Sequence, residues 1–429
     1  MQNANRLLIV AIPLLLATMS FAQFGGKAGF GEAFRPDVLP RDMVLVVETL
    51  KLEEWQRPIV ESLIDDYTAN FKTGCDTVRQ KMVDMAKSQK GDSKSIKGLL
   101  APIQAWVPEK DRMFADFMAS VKGQLSDTQR ERWPQFERTM RREKSLEDSD
   151  LSGEGVDLIA ISRQMQLPPE ALTAAQTTLD EYELQLDLAL VARDQRIDAL
   201  MPDFTQAMES MDFDRGVELQ NQIMKARVAV RVVQDEFIEK IAESLATPLG
   251  PDFRTRALAA GYKEAFQPDP LANFFQVVTN LPDLTPEQRT GVDGASAKWQ
   301  EHLENLRARM LHTMRQDEPS KPARATKAAQ ARAAAKEGRK VEQPGIEAMV
   351  PLRNEKNRLV QETRDSVLAL LTAEQREAIV AGVPGLKPPP PSSPKAPMYQ
   401  GAGQGGKDAT SANKPTDPEG KPVKKEVVE

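Results

Sequence analysis

The chain is poor in the residues that most often carry chemistry. It has one cysteine, Cys75, in 429 residues. An intramolecular disulfide is therefore excluded, and packing must hold the fold. Cys75 falls on an apolar helical stripe and reads as a small buried hydrophobe, with a redox or intermolecular-disulfide role as the alternative. The only histidines, His302 and His312, lie ten positions apart on one helical run. Two ligands on one helix face need a spacing of four, so no metal is expected to be held there. No Gly-rich phosphate loop and no nucleophile elbow stands out, so no cofactor and no enzymatic activity are expected. The acidic neighbours Asp65-Asp66 and Asp180-Glu181 diverge in direction on a helix. They read as solvated faces rather than as acid/base pairs. Aromatics are 5% of the chain, and 57 basic against 63 acidic residues leave a net charge of −6, which excludes a general bias toward nucleic acid. After the N-terminus no stretch approaches the ~18 apolar residues of a membrane span.

What remains is a helix-forming composition rich in Ala, Leu, Gln, Glu, Arg, Lys and Met. The N-terminus carries Arg6, then the apolar run Leu7 to Ala17, then Ser20-Phe21-Ala22 before Gln23. This is the pattern of a secretory signal cut after Ala22, and it places the protein in the periplasm or outside the cell. An uncleaved anchor is the alternative.

Apolar residues recur at helical spacing in three successive blocks, the first running through Ile59, Leu63, Tyr67, Phe71, Cys75, Val78, Met82 and Met85. Residues 23–42 read as a linker, with a short docked piece as the alternative, 43–145 as a first unit, 156–268 as a second and 274–382 as a third. The polar, Gly-containing stretch from Lys144 to Gly155 reads as a separator between the first two. Leu52, Leu167 and Leu284 open the three units, and Leu125, Leu249 and Leu371 stand near their ends. An aromatic follows each opening leucine at one fixed offset, as Tyr67, Tyr182 and Trp299. Three landmarks in register predict an internal triplication. The basic insert 319–345 reads as a mobile or partly helical tip, and a loop is expected around Pro202 to Asp214. The Pro-, Gly- and Lys-rich tail 383–429 reads as disordered.

One short motif recurs at these landmarks. It reads Leu284-Thr285-Pro286-Glu287-Gln288, returns as Leu371-Thr372-Ala373-Glu374-Gln375, and has a near copy in Leu125-Ser126-Asp127-Thr128-Gln129. The hydroxyl residue suits the N-cap, and the glutamine at N3 suits the reciprocal bond of a capping box. The leucine suits a hydrophobic staple. Leu52-Glu53-Glu54-Trp55-Gln56 keeps only the leucine and the glutamine, and the second unit keeps only its leucines.

With these motifs the chain resembles the LTXXQ-motif family of periplasmic proteins, the Spy/CpxP type. Leu284, Thr285, Gln288, Leu371, Thr372 and Gln375 carry the resemblance, with Leu125, Ser126 and Gln129 as the near match. The resemblance implies small helical units of this size, curved dimers and so a possible homo-oligomer, and ATP-independent chaperone or envelope-stress roles. The expected fold is all-α, with three tandem antiparallel helical hairpins packed at coiled-coil-like angles. The expected function is non-enzymatic binding of protein clients or envelope partners. A structural scaffold that uses its helices and tail is the alternative.

Overall fold

The computed structural model describes residues 33–88, 96–336 and 347–382. Residues 1–32, 89–95, 337–346 and 383–429 lie outside the described residues, and with them the expected signal segment, part of the basic insert and the expected disordered tail. Among the described residues every regular element is helical, so the fold class is all-α.

The first unit opens with α1 (Met43–Leu50), then the long hairpin α2 (Arg57–Ser88) and α3 (Ile96–Gly123), then α4 (Asp127–Arg130) and α5 (Trp133–Glu147). The second has α6 (Leu158–Gln164), the hairpin α7 (Pro169–Glu209) and α8 (Phe213–Ser244), and α9 (Leu249–Gly261). The third has α10 (Ala272–Thr279), α11 (Pro286–Asp317), α12 (Lys321–Lys336), α13 (Met349–Ala369) and α14 (Ala373–Gly382). Each unit thus has a short opening helix, two long antiparallel helices and a closing segment, with α4 and α5 both closing the first unit and α12 inserted between the long helices of the third.

Residues at one offset from the opening leucine do one job in all three units. Val60, Ala175 and Val292 are fully buried, and Phe71, Leu186 and Leu303 follow them into the core. Counted back from the closing leucine, Ile103, Arg227 and Met349 are buried at one offset and Val121, Leu245 and Val367 at another. The aromatic landmark holds the strap that enters each unit. Tyr67 accepts the Asp37 backbone N–H at 3.0 Å. Tyr182 accepts the Leu158 N–H at 3.3 Å and donates to the Val156 carbonyl at 3.3 Å. The Trp299 indole donates to Asp269 at 2.9 Å.

The structure corrects or sharpens the sequence reading at five places. Residues 33–42 are docked rather than linking: Ala33 and Val38 are fully buried, and the Trp106 indole donates to the Ala33 carbonyl at 2.6 Å. On α2 the core face runs through Val60 and Ile64, and Ile59 points to solvent. The helix α7 continues through Pro202 to Glu209. The lost backbone bond is offset there by a separate apolar cluster of Leu200, Met201, Phe204, Leu219 and Ile223 at the hairpin tip. The described part of the basic insert is a helix. Its Ala323, Ala331 and Thr326 are buried, and Thr326 donates to Gln220 of α8 at 2.9 Å.

The fifth difference is the largest. The stretch from Lys144 to Gly155 is a latch built on buried Leu151, Gly153 and Glu154. Glu154 is fully buried and accepts the backbone N–H groups of Asp150 and Leu151, Arg193 of α7 at 2.8 Å and Arg227 of α8 at 3.0 Å. Arg227 also pairs with Asp150 at 2.8 Å. Ser152 donates twice to Glu318, at 3.0 and 2.8 Å, and Gly153 N–H donates to the Gly261 carbonyl at 2.9 Å. Gly153 has φ +83°, and a side chain there would strike the Tyr262 ring, so glycine is required. This short stretch therefore ties all three units together. The second unit is central: α5 packs on α7, while α11 and α12 pack on the α8 side.

Candidate functional site

Ser126, Thr285 and Thr372 each accept the N–H of the glutamine three residues on, and that glutamine's side-chain oxygen accepts the cap N–H in return. The leucines Leu125 and Leu371 are buried and Leu284 is half-buried.

The same glutamines do a second job that capping does not explain. Gln56 and Gln129 face each other, each amide nitrogen donating to the other's oxygen at 2.9 and 2.8 Å. Gln56 also donates to the Gln124 carbonyl at 2.7 Å, and Gln129 to the Lys51 carbonyl at 3.0 Å. Those carbonyls belong to the residues just before Leu125 and Leu52. The third unit repeats the pattern. Gln288 and Gln375 exchange bonds of 3.0 and 3.3 Å, and they donate to Leu370 and Asp283, again just before the two motif leucines. The two motifs of a unit are one clamp with approximate two-fold symmetry, closing the open end of the hairpin. In the second unit both glutamines are absent, with Ala171 and Phe253 in their places, and Phe253 is fully buried. The pair is lost as a pair, which is the one sequence signal that the residues meet.

Several other titratable groups are committed to the fold. Burial raises the Tyr67, Tyr182 and Tyr262 hydroxyls above their ordinary value. A cleft of about 390 Å³ lies between α5, α6 and α7. Ile159, Leu167 and Leu179 line it, with Leu172 at its rim. Among its charged groups Arg142 pairs with Glu183 at 3.6 Å, and it also pairs with Asp157 at 3.0 Å. Asp65, Asp66, Asp180 and Glu181 are exposed. Among the described residues, no cluster of three or more His, Cys, Asp or Glu side chains has the geometry to hold a metal. Cys75 is buried, and burial pushes its thiol up.

The largest departure from ordinary surface chemistry is the open side of the central hairpin. Two polar bridges cross it, Lys240 to Glu181 at 3.6 Å and Arg196 to Gln222 at 2.5 Å. Between these bridges the helical register sets Leu188, Ala192, Ala229 and Val233, with Leu184 and Val232 on the flanking turns. Leu188 is 65% exposed, Val232 54% and Leu184 50%. No helix among the described residues is long and apolar enough to cross a membrane. No family model, characterised protein or solved structure matches the chain.

Proposed function

We propose that the protein is an exported, non-enzymatic helical binding protein of the cell envelope that holds apolar segments of protein clients without ATP. The observation that carries this reading is the apolar strip of Leu184, Leu188 and Val232, left open on a rigid two-helix platform and rimmed by charge. A rimmed apolar patch of this kind on a soluble surface marks an interaction site more often than it marks idle surface. The chemistry suits clients whose apolar side chains are transiently exposed: a broad, shallow face gives contact without a specific pocket. The cleft beside α7, with exposed Leu172 at its rim, offers a second apolar foothold on the same helix. The leader-like N-terminus and the resemblance of the clamp motifs to the LTXXQ family support export and envelope function.

The test is suppression of aggregation of an unfolding client by the purified protein, with no nucleotide present. Suppression is expected at near-stoichiometric ratio. It should fall several-fold in L184E/L188E/V232E, while that variant keeps wild-type helicity. Absence of any effect at several-fold excess of wild-type protein overturns the proposal.

A further inference from the structure

We propose that Arg307 and Lys356 form an oxyanion-binding site in the third unit, for a ligand of the phosphate class. The internal triplication makes the pair conspicuous. Arg307 lies at the same offset from Leu284 as Cys75 from Leu52 and Leu190 from Leu167. Cys75 and Leu190 are buried core residues. Lys356 lies at the same offset from Leu371 as Lys110 from Leu125 and Gln234 from Leu249. Lys110 faces the strap carboxylate Asp37 at 3.5 Å, and Gln234 is neutral and fully buried. The third unit alone puts two cations at this level of the hairpin, one of them where the fold elsewhere puts a core residue.

Among the described residues no carboxylate lies within ion-pair distance of Arg307 or Lys356, while most arginines of the second and third units are paired. Instead the two converge on one neutral residue. Arg307 Nη2 donates to the Gln267 carbonyl at 3.3 Å, and Lys356 Nζ donates to the Gln267 side-chain oxygen at 3.2 Å. Arg307 Nε is buried and has no partner, and its guanidinium lies 5.6 Å from the Phe266 ring centre. The nearest acids are engaged elsewhere. Asp269 accepts Trp299, Gln300 and the Leu271 N–H, and Glu264 accepts Arg353. Burial first, and the Arg307 charge second, hold the Lys356 ammonium below its usual value. A half-buried pair of like charges is costly unless an anion joins it. A planar donor fork beside a point charge is the arrangement that takes an oxyanion with several oxygens.

Inorganic phosphate is the probe, titrated into the full chain against chloride at matched ionic strength. Phosphate is expected to raise the thermal midpoint of the wild-type protein and chloride is not. R307L copies Leu190 and K356Q copies Gln234, so both side chains are ones the second unit's hairpin carries at these offsets. Each should keep wild-type helicity and weaken phosphate binding roughly tenfold or more. Co-sedimentation with phosphatidylglycerol vesicles separates a lipid source from a free one. No vesicle binding is expected, because the cations are half-buried between helices. Equal effects of phosphate and chloride on the wild-type protein overturn the proposal even if a variant fails to fold. So does a phosphate effect that survives in both variants, or vesicle binding that R307L abolishes with no effect of free phosphate.

Discussion

Gln56 and Gln129 use all the hydrogen-bonding capacity of a primary amide. Gln56 accepts the Glu53 N–H and a Gln129 amide hydrogen, and donates to Gln124 and to Gln129. Gln129 mirrors it with Ser126, Lys51 and Gln56. Both side chains are buried. A buried amide stripped of its partner bears a desolvation cost, whereas an apolar pair of similar shape does not. Q129A is therefore expected to destabilise the protein by about 2–3 kcal/mol, because it removes one of the two bonds at each end of the Gln56 amide and strands the Ser126 N–H and the Lys51 carbonyl. The double variant Q56L/Q129L should cost less than the sum of its single changes, with a coupling of roughly 1 kcal/mol or more. The second unit already runs this experiment with Ala171 and Phe253. A denaturant double-mutant cycle measures the coupling, and strict additivity would show that the two amides act only as separate helix caps.

At the level of elements, the first hairpin depends on a close approach of α2 and α3 at Gly74. A Cβ there would run into the six-membered ring of Trp106. That ring has little room to yield, since its Nε1 is tied to the Ala33 carbonyl and its face meets Phe71 at 5.7 Å between centroids. G74A gains helix propensity but overpacks the core, and the second effect is larger. A net loss of about 1–3 kcal/mol is expected, read as a lower urea midpoint. In W106F/G74A most of that loss should return. The elements themselves are legible in sequence because helical periodicity and capping boxes are local: the stripe Leu179, Tyr182, Leu186, Leu190 is the buried face of α7, and Thr285 begins α11. What is not legible depends on partners far along the chain. The clamp glutamines lie 73 and 87 positions apart. Lys144 to Gly155 resembles a separator in sequence because its charges gain a reason for burial only from Arg193 and Arg227, which other helices supply. The Arg307 and Lys356 pair is hidden for the same reason, although the register of the three copies exposes it once the hairpins are aligned.

For the molecule as a whole, the latch is the joint that makes three hairpins one body, and one of its acids titrates near neutrality. Burial pushes the Asp150 carboxyl up from 3.8 to about 6, with Glu154 adding to the rise and Arg227 opposing it. Burial raises Asp148 as well. A carboxyl whose folded pKa lies above its unfolded value binds more protons when folded. Its contribution to stability is complete below the ordinary carboxylate range and is lost as pH rises through about 6. The magnitude is on the order of 1–3 kcal/mol between pH 4 and 6.5, since each tenfold change in proton affinity corresponds to about 1.4 kcal/mol. Glu347 acts in the opposite sense. Its bonds to Arg353 and Lys321 hold it down to about 2, so the stability it adds is present above its ordinary value and is lost as pH falls through about 2. Its partial exposure weakens that contribution. The raw pH profile of the protein therefore mixes both signs, and the comparison that isolates the latch is wild type against D150N. The wild-type urea midpoint, measured relative to D150N, should fall between pH 4.5 and 7. Hydrogen exchange at Leu151 and Gly153, whose amides bond within the latch and to Gly261, should quicken over the same interval relative to D150N. Parallel curves for the two proteins would mean that Arg227 compensates Asp150 fully and that the joint between the units is indifferent to pH in this range.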